Sequence, residues 1–377
     1  MRNPYSDLPT RAFWRRAVVE SSPFTAEELY TPKWILSPNT KIATAGSCFA
    51  QHITTHLRDE KFNVLDLEKP PCSLAEPDHQ RFGFSLYSCR YGNIYTAQQL
   101  LQLAREVQGR FRPADVVWQR EGRFFDALRP GVEPEGLSSA AEVMEHRRYH
   151  LSRVKLMFKR MDAFIFTLGL TEAWVRSDGR SQTVYPTAPG TIAGHFEPQV
   201  YQSQNYRCSE VVSALQEFRR VVGRLRRGRP FRMLLTVSPV PLTATASGNH
   251  VLAATTYSKA VLRAAAGELC AGSDDIDYFP SYEIITNPAA RGLFYAANLR
   301  SVRPEGVAIA MQTFTRAHRP EAQPEAGGGG QRQRGHSVAR LRRQRHKAAL
   351  QGAAPQTPGR ARADLQCEEA LLEAFGE

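Results

Sequence analysis

Short apolar runs that alternate with helical segments are the feature that most limits how this chain can fold. AFIFTLG (163–169) is an apolar run that ends at glycine, which is typical of a strand buried in a parallel sheet. FRMLLTVSP (231–239) is a second such run, and Lys41–Ala45, FNVLDL (62–67) and IDYF (276–279) are shorter ones. Because helical segments separate these runs, the pattern predicts an α/β fold in which helices cover both faces of four or five parallel strands.

The helical segments have the spacing of amphipathic helices, and two of them have capping residues. Thr96 is placed to cap a helix over 97–108, and Ser138 or Ser139 opens a long helix that ends near Met161. Further helices are predicted directly after Cys48 and over 209–226, 251–269 and 304–315. The polar, proline-containing stretch 176–206 is predicted to be a lid or binding loop.

Composition divides the chain into four parts. Residues 1–40 are rich in proline and aromatic residues, and we expect an extended arm whose aromatic side chains pack on the body. Residues 41–316 form the α/β domain. Residues 317–365 are basic, have low complexity and contain almost no large apolar side chains, so we expect them to be disordered. Residues 366–377, which include CEEALLEAFGE, are predicted to form a helical end.

Charge and cysteine usage argue against several classes of protein. The net charge is +12, but residues 315–363 alone carry eleven Lys and Arg against two Asp and Glu, so the body has no basic stripe for nucleic acid. No run of 18 apolar residues predicts a membrane span, and no apolar segment near the N-terminus predicts a signal peptide. Six cysteines without C-x-x-C spacing predict neither a zinc site nor a disulfide framework, and they fit a reducing cytoplasm. We expect no metal and no cofactor.

The turn Gly46-Ser47-Cys48 is the first candidate site. It follows the Lys41–Ala45 strand and precedes an apolar stretch that can open a helix. A side chain at this place lies beside free backbone N–H groups and the positive end of the helix dipole, where ligands bind in open α/β sheets. A thiol there has a lowered pKa, and a nucleophile there has an oxyanion hole. The alternative is a turn of small residues with a buried cysteine.

Polar residues also follow other predicted strands or turns. Gly92 and Asn93 form a turn that can direct a backbone N–H at an oxyanion. Gly169, Thr171 and Glu172 come directly after the AFIFTLG strand, where they are placed either to bind a ligand or to cap a helix. A nucleophile also needs a base. His52 lies four residues after Cys48, and His195 lies on a glycine-containing loop; each is otherwise an ordinary surface or core histidine.

Several blocks of the sequence, taken in order, resemble one family. AGSCFAQHI resembles the motif that names the GSCFA domain family, and further blocks of that family are similar to YGNIYT, TLGLTEAW, TVSPVPLTAT, TYSKAVLRAAAGEL and YFPSYEII. The resemblance covers residue 41 to about residue 315, and the ending CEEALLEAFGE also resembles the family.

The GSCFA family is similar, at a distance, to the SGNH/GDSL esterases and acyl-transfer enzymes. That similarity implies a three-layer α/β/α sandwich and places the nucleophile on Cys48, or on Ser47 if the motif is shifted by one residue. It also implies that Gly92 and Thr171 hold the oxyanion. The family's Asp-x-x-His, however, falls on Asn298 and Ser301, neither of which can act as that base.

Two functions are compatible with the sequence. The first is an SGNH-like hydrolase that acts on an acyl ester, or transfers an acyl group to a carbohydrate or small metabolite. The second is a catalytically inactive module that binds a carbohydrate or acylated ligand. In the first case His52 or His195 replaces the missing histidine. The sequence leaves the oligomeric state open.

Overall fold

The computed structural model describes residues 3–26, 28–177, 179, 181–319 and 367–376. The strands in this part of the chain are β1 (Ile42–Gly46), β2 (Val117–Arg120), β3 (Arg123–Asp126), β4 (Ala163–Leu168), β5 (Glu172–Ser177), β6 (Gln182–Tyr185), β7 (Tyr201–Asn205), β8 (Arg232–Val237) and β9 (Ile276–Tyr278). The α-helices are α1 (Phe49–Asp59), α2 (Ala97–Val107), α3 (Ala140–Arg160), α4 (Cys208–Leu225), α5 (Val251–Ala271), α6 (Ser281–Ile285) and α7 (Pro304–His318). A 3-10 helix, Glu368–Phe375, lies in the C-terminal residues.

Four parallel strands form the central sheet in the order β1-β4-β8-β9. Side chains of these strands alternate between two faces, as the pleat requires. Phe164 and Phe166 pack in one cluster with α2, α3, α4 and α5, whereas Ile165 packs in the other with α1, α6 and α7. The predicted three-layer α/β/α arrangement is therefore confirmed, and the carboxyl ends of the strands share one edge of the sheet.

Two stretches differ from the sequence-based expectation. FNVLDL does not form a strand: a single bridge from Val64 to Ile42 is all that joins it to the sheet. The stretch 176–206, expected to be a lid or loop, instead contains β6 and β7, which pair antiparallel with β5. The sequence of β5 does not alternate in polarity, because the apolar Trp174 lies on its partly exposed face between the buried Ala173 and Val175.

The predicted caps hold, and the termini pack partly as expected. Thr96 forms a capping box with Gln99, and Ser139 caps α3. In the N-terminal arm, Trp34 is buried, but Trp14 stays exposed. Residues 317 and 318 extend α7 and Arg319 is its C-cap, while residues 320–365 of the segment that was predicted to be disordered lie outside the described residues. None of the described helices has both the length and the apolar character needed to cross a membrane.

The contact between β1 and β4 depends on Gly46. Gly46 pairs with Thr167 and has a φ of +146°, a backbone conformation that other residues rarely adopt. A Cβ on Gly46 would lie 2.6 Å from the Thr167 carbonyl oxygen. The absence of a side chain therefore lets β1 end against β4, where the Ser47 amide donates to the same Thr167 oxygen at 3.2 Å.

We predict that Gly46→Ala lowers the free energy of unfolding by about 2–4 kcal/mol, because backbone strain and overpacking add at this position. Gly223→Ala is the matched control: Gly223 lies within α4, and a Cβ added there would meet no neighbouring described residue within 4 Å. We expect that control to be neutral or stabilising by up to ~1 kcal/mol. Urea unfolding followed by circular dichroism measures both, and equal stabilities for the two variants would contradict the role of Gly46.

Candidate active site

The carboxyl ends of β1 and β4 meet the loop that contains the Tyr91-Gly92-Asn93 turn. The Gly46 carbonyl accepts a hydrogen bond from the Ile94 amide at 2.9 Å. The Tyr95 carbonyl accepts from the amides of Gly169 and Leu170, both at 3.0 Å. The structure therefore brings the GSC turn, the Gly92-Asn93 turn and Gly169 together, as the sequence predicted for strand ends in a parallel sheet.

Ser47 faces the protein interior. Its side chain is buried, and its hydroxyl has no hydrogen-bond partner among the described residues. Its carbonyl accepts from the Tyr87 hydroxyl at 3.1 Å. A Cβ on Gly169 would lie 2.8 Å from the Ser47 Cβ, so glycine at this position makes room for the serine.

Cys48 is the N-cap residue of α1, and its side chain is only 4% exposed. Within the described chain its backbone N–H has no backbone acceptor, as expected for the first residue of a helix. Cys367 packs against the cluster of buried side chains that contains Cys48, and its thiol interacts with the Cys48 thiol. This interaction and burial raise the pKa of Cys48, so in this state Cys48 is a protonated thiol that donates to Cys367.

The C-terminal segment, residues 367–376, places two carboxylates in the site. Glu368 accepts hydrogen bonds from the Asn93 side-chain amide and, at 2.8 Å, from the Tyr95 hydroxyl. The Glu368 carboxylate also lies against Gly92, since a Cβ there would be 3.6 Å from its Oε1. Asn93, which was expected to contact an oxyanion or substrate, thus binds a carboxyl group of the same chain, and Gly92 lies against that group.

Arg300 joins the C-terminal segment to the body. Its guanidinium lies 3.4 Å from a Glu369 oxygen and 3.7 Å from the Cys367 sulfur. The turn that carries it is fixed by Asn298, whose side-chain oxygen accepts from the amides of Arg300 and Ser301 at 3.0 and 2.9 Å. Asn298 and Ser301 are exposed and bonded to each other, and it is Arg300 between them that reaches the site.

Lys259 is the second cation of the site. It lies on α5, is 1% exposed, and donates to the Gly169 carbonyl at 2.7 Å. Burial lowers the pKa of Lys259 to about 8, while the charges of Glu369 and Cys48 oppose that shift. A buried amine with a lowered pKa, which interacts electrostatically with Cys48, is a group that can accept a proton.

The charges of the site depend on one another. The hydrogen bond from Cys48, together with Arg300, lowers the pKa of Cys367 to about 5, although burial opposes this. Burial and the neighbouring Cys367 charge raise the pKa of Glu369 to about 8. We therefore assign the negative charge of the thiol pair to Cys367, which lies next to Arg300.

A cavity of about 190 Å³ reaches this cluster from the side of the three-stranded sheet. Glu369 and Leu372 of the C-terminal segment form part of its wall, and Trp174 and Leu170 form another part. Glu172 also lines it and accepts from the Thr245 hydroxyl at 2.7 Å. A ligand bound in this cavity would therefore contact the C-terminal segment.

The other predicted site residues have different surroundings. Thr171 is fully buried, and its hydroxyl has no hydrogen-bond partner among the described residues. The ring of His52 lies edge-on to Phe49 on α1, with 5.6 Å between ring centroids. His195 is exposed, on a loop whose Gly194 lies against Trp118. Cys48 has its strongest electrostatic neighbours in Cys367, Glu369 and Arg300.

Sequence reasoning missed five side chains of the site: Lys259, Arg300, Cys367, Glu368 and Glu369. Only Lys259 could have been recognised from a pattern in the sequence. Lys259 shares a helix face with the buried Leu262 and Ala266, so a lysine interrupts an apolar stripe. The C-terminal residues gave no such signal, because a docking place cannot be deduced from a short acidic helix.

Three findings bear on the identity of the chain and on its chemistry. A model of the GSCFA family matches residues 41–314. No curated protein and no solved structure matches the chain. Among the described residues there is no group of three or more His, Cys, Asp or Glu side chains placed to hold a metal ion.

We predict that Glu369 makes the free energy of unfolding fall as pH rises from about 4.5 to about 8. Between these values the folded chain holds a proton on Glu369 that the unfolded chain has lost, so stability falls with pH. Glu369→Gln should flatten the profile in this interval, whereas Glu373→Gln, at an exposed position of the same segment, should leave it unchanged. Urea unfolding at several pH values measures the three slopes, and parallel profiles would refute the buried-acid assignment.

Proposed function

The chain belongs to the GSCFA family, and Cys48 is the N-cap residue of α1, directly after β1. We propose that the protein is an SGNH-like hydrolase in which the Cys48 thiol attacks an acyl ester. The observation that supports the proposal is the pair of basic groups near this thiol: Lys259 is buried with its pKa lowered to about 8, and Arg300 is a partly buried cation. The Arg300 cation and the helix N-terminus both favour the thiolate form of Cys48, and the Lys259 amine can accept its proton.

The reaction follows from these groups. The Cys48 thiol gives its proton to the neutral Lys259 amine, and the thiolate attacks the ester carbonyl to form a C–S bond. As the tetrahedral intermediate collapses, the C–O bond to the alcohol breaks and Lys259 returns the proton to the leaving oxygen. Water then hydrolyses the thioester, or a hydroxyl of a carbohydrate or small metabolite takes the acyl group.

The oxyanion of this reaction needs hydrogen-bond donors close to Cys48. The backbone N–H of Cys48 and the Asn93 side-chain amide are suitable donors, and Asn93 already binds a carboxylate oxygen of Glu368. An acyl oxygen in place of that carboxylate would meet the same donor. The C-terminal segment must therefore withdraw from Asn93 and Cys48 before substrate binds, with the cavity beside Glu369 as the way in.

Lys259 is the general base of this mechanism, a role for which the sequence analysis suggested His52 or His195. His195 is exposed, and its loop lies against Trp118 rather than in the charged cluster. Asn298 and Ser301, at the place of the family's Asp-x-x-His, bond to each other at the surface. A Cys–Lys pair can perform the same proton transfers as a Cys–His pair when burial lowers the pKa of the lysine.

The substrate and location belong to the same proposal. The cavity has aromatic, apolar and carboxylate walls, formed by Trp174, Leu170 and Glu172, which suits a small acylated metabolite or an acylated carbohydrate. All six cysteines are free, which fits a reducing cytoplasm.

A second candidate function is a module that binds an acylated ligand or carbohydrate without chemistry. The covered, protonated state of Cys48 favours it, since a thiol that is 4% exposed and bonded to Cys367 is not a nucleophile in this state. The two functions differ in whether Cys48 ever becomes acylated.

We predict that an activated ester such as p-nitrophenyl acetate acylates Cys48 of the full chain, and that Cys48→Ala lowers the rate by at least about 10³-fold. Ser47→Ala and Cys72→Ala should keep the wild-type rate, since the hydroxyl of Ser47 faces the interior and Cys72 is exposed elsewhere. Intact-mass measurement after acid quench detects the acyl group. Equal acylation of Cys48→Ala and the wild type would remove Cys48 from the mechanism, and no acylation of any variant would favour the binding module.

We predict that Lys259→Met slows this acylation by about 10²-fold or more, because the proton acceptor is lost. Arg263→Met is the matched control on the same helix: Arg263 is 43% exposed and pairs with Glu283. The control should acylate at the wild-type rate. An unchanged rate in Lys259→Met, with the fold verified by circular dichroism, would assign the base to another residue.

A further inference from the structure

Two cysteines that lie 319 positions apart in the sequence meet at the candidate site. Cys48 belongs to the turn after β1, and Cys367 is the first described residue of the C-terminal segment. Cys367 packs against the cluster of buried side chains that contains Cys48, and both cysteines are free thiols. A disulfide between the two cysteines would cross-link the C-terminal segment to the turn after β1.

The surroundings of the pair give its members different chemical roles. The Arg300 guanidinium lies 3.7 Å from the Cys367 sulfur, and the Tyr95 hydroxyl lies 3.9 Å from it. Cys367 is half-buried, whereas Cys48 is 4% exposed. Cys367 is therefore the thiolate that an oxidant reaches first, and Cys48 is the neighbouring thiol that completes the reaction.

We propose that Cys48 and Cys367 form a redox-active dithiol site that is oxidised reversibly to a disulfide by a low-molecular-weight disulfide. The Cys367 thiolate attacks one sulfur of the oxidant, which forms a mixed disulfide and releases one thiolate. Cys48 then loses its proton and attacks the Cys367 sulfur, which forms the Cys48–Cys367 bond and releases the second thiol. Two electrons pass from the protein to the oxidant, and a dithiol reverses both steps.

The disulfide has a consequence that rests on the proposed function. It would fix the C-terminal segment over the site, with Glu368 held at Asn93 and Glu369 held at Arg300. It would also consume the sulfur that attacks the ester. The oxidised protein would then be inactive until a reductant frees Cys48, so the redox state of the surroundings would control the enzyme.

The test uses the full chain and oxidised glutathione as the probe. Free thiols are alkylated after the reaction, and peptide mapping by mass spectrometry locates the products. We expect the loss of two alkylated thiols and a cross-linked peptide that joins Cys48 to Cys367, both reversed by dithiothreitol. Cys48→Ser should stop at a glutathione adduct on Cys367, and Cys367→Ser should form no cross-link. Cys72→Ser should behave as the wild type.

Arg300→Gln adds a measurement that a merely exposed cysteine would not predict. Loss of the guanidinium should slow the first step about tenfold, because less Cys367 is thiolate. The proposal is overturned if Cys48 and Cys367 are recovered as free thiols at equilibrium, if the cross-link joins other cysteines, or if Cys48→Ser leaves no adduct on Cys367. A cross-link in a protein that no ester acylates would refute the proposed function and leave the dithiol site intact.

Discussion

The close approach of Gly46 to Thr167 sets the positions of Ser47 and Cys48 in the candidate site. Because Gly46 has no side chain, β1 ends against the backbone of β4, and the chain turns directly into α1. Ser47 is thereby pressed against Gly169, and Cys48 is left at the N-terminus of the helix. A residue with a Cβ at position 46 would separate the two strands where their carboxyl ends form the site.

Charge balance explains why the C-terminal segment belongs to the site. Lys259 and Arg300 are cations with little access to water, and a buried cation without a partner is costly. The Cys367 thiolate provides compensating negative charge, and the Glu369 carboxyl, which is protonated below about pH 8, accepts a hydrogen bond from Arg300. The same arrangement keeps Cys48 protonated. Withdrawal of the segment would leave both cations beside Cys48 and favour its thiolate, so docking of the segment and reactivity of Cys48 are opposed.

The layers of the fold could be predicted from sequence because short apolar runs and amphipathic spacing indicate which residues of each strand and helix are buried. AFIFTLG became β4, and Thr96 opened α2 as its capping signal predicted. The three-stranded sheet was missed because its strands are short and β7 has polar residues on both faces, with Gln202 and Ser203 both exposed. FNVLDL was wrongly predicted to be a strand because an apolar run can pack beside a sheet without forming one of its strands.

The candidate site was only half visible in the sequence for a physical reason. Residues at the ends of neighbouring parallel strands must lie close together, which is why Cys48 and Gly169 could be paired in advance. Lys259 and Arg300 reach the site from α5 and from a turn before α7, and their direction depends on tertiary packing. Cys367 arrives from a remote part of the chain, and no local pattern records where such a segment docks.

If the C-terminal segment keeps the Cys48 thiol protonated, its removal must change how Cys48 alkylation depends on pH. Iodoacetamide is applied to the wild type and to Cys367→Ala, and the modified Cys48 peptide is quantified by mass spectrometry. We expect Cys48 to react faster in Cys367→Ala, with a reactivity profile shifted to lower pH. The reason is that this variant lacks the Cys367 thiol, whose hydrogen bond raises the pKa of Cys48. Identical rates and profiles in the two proteins would contradict it.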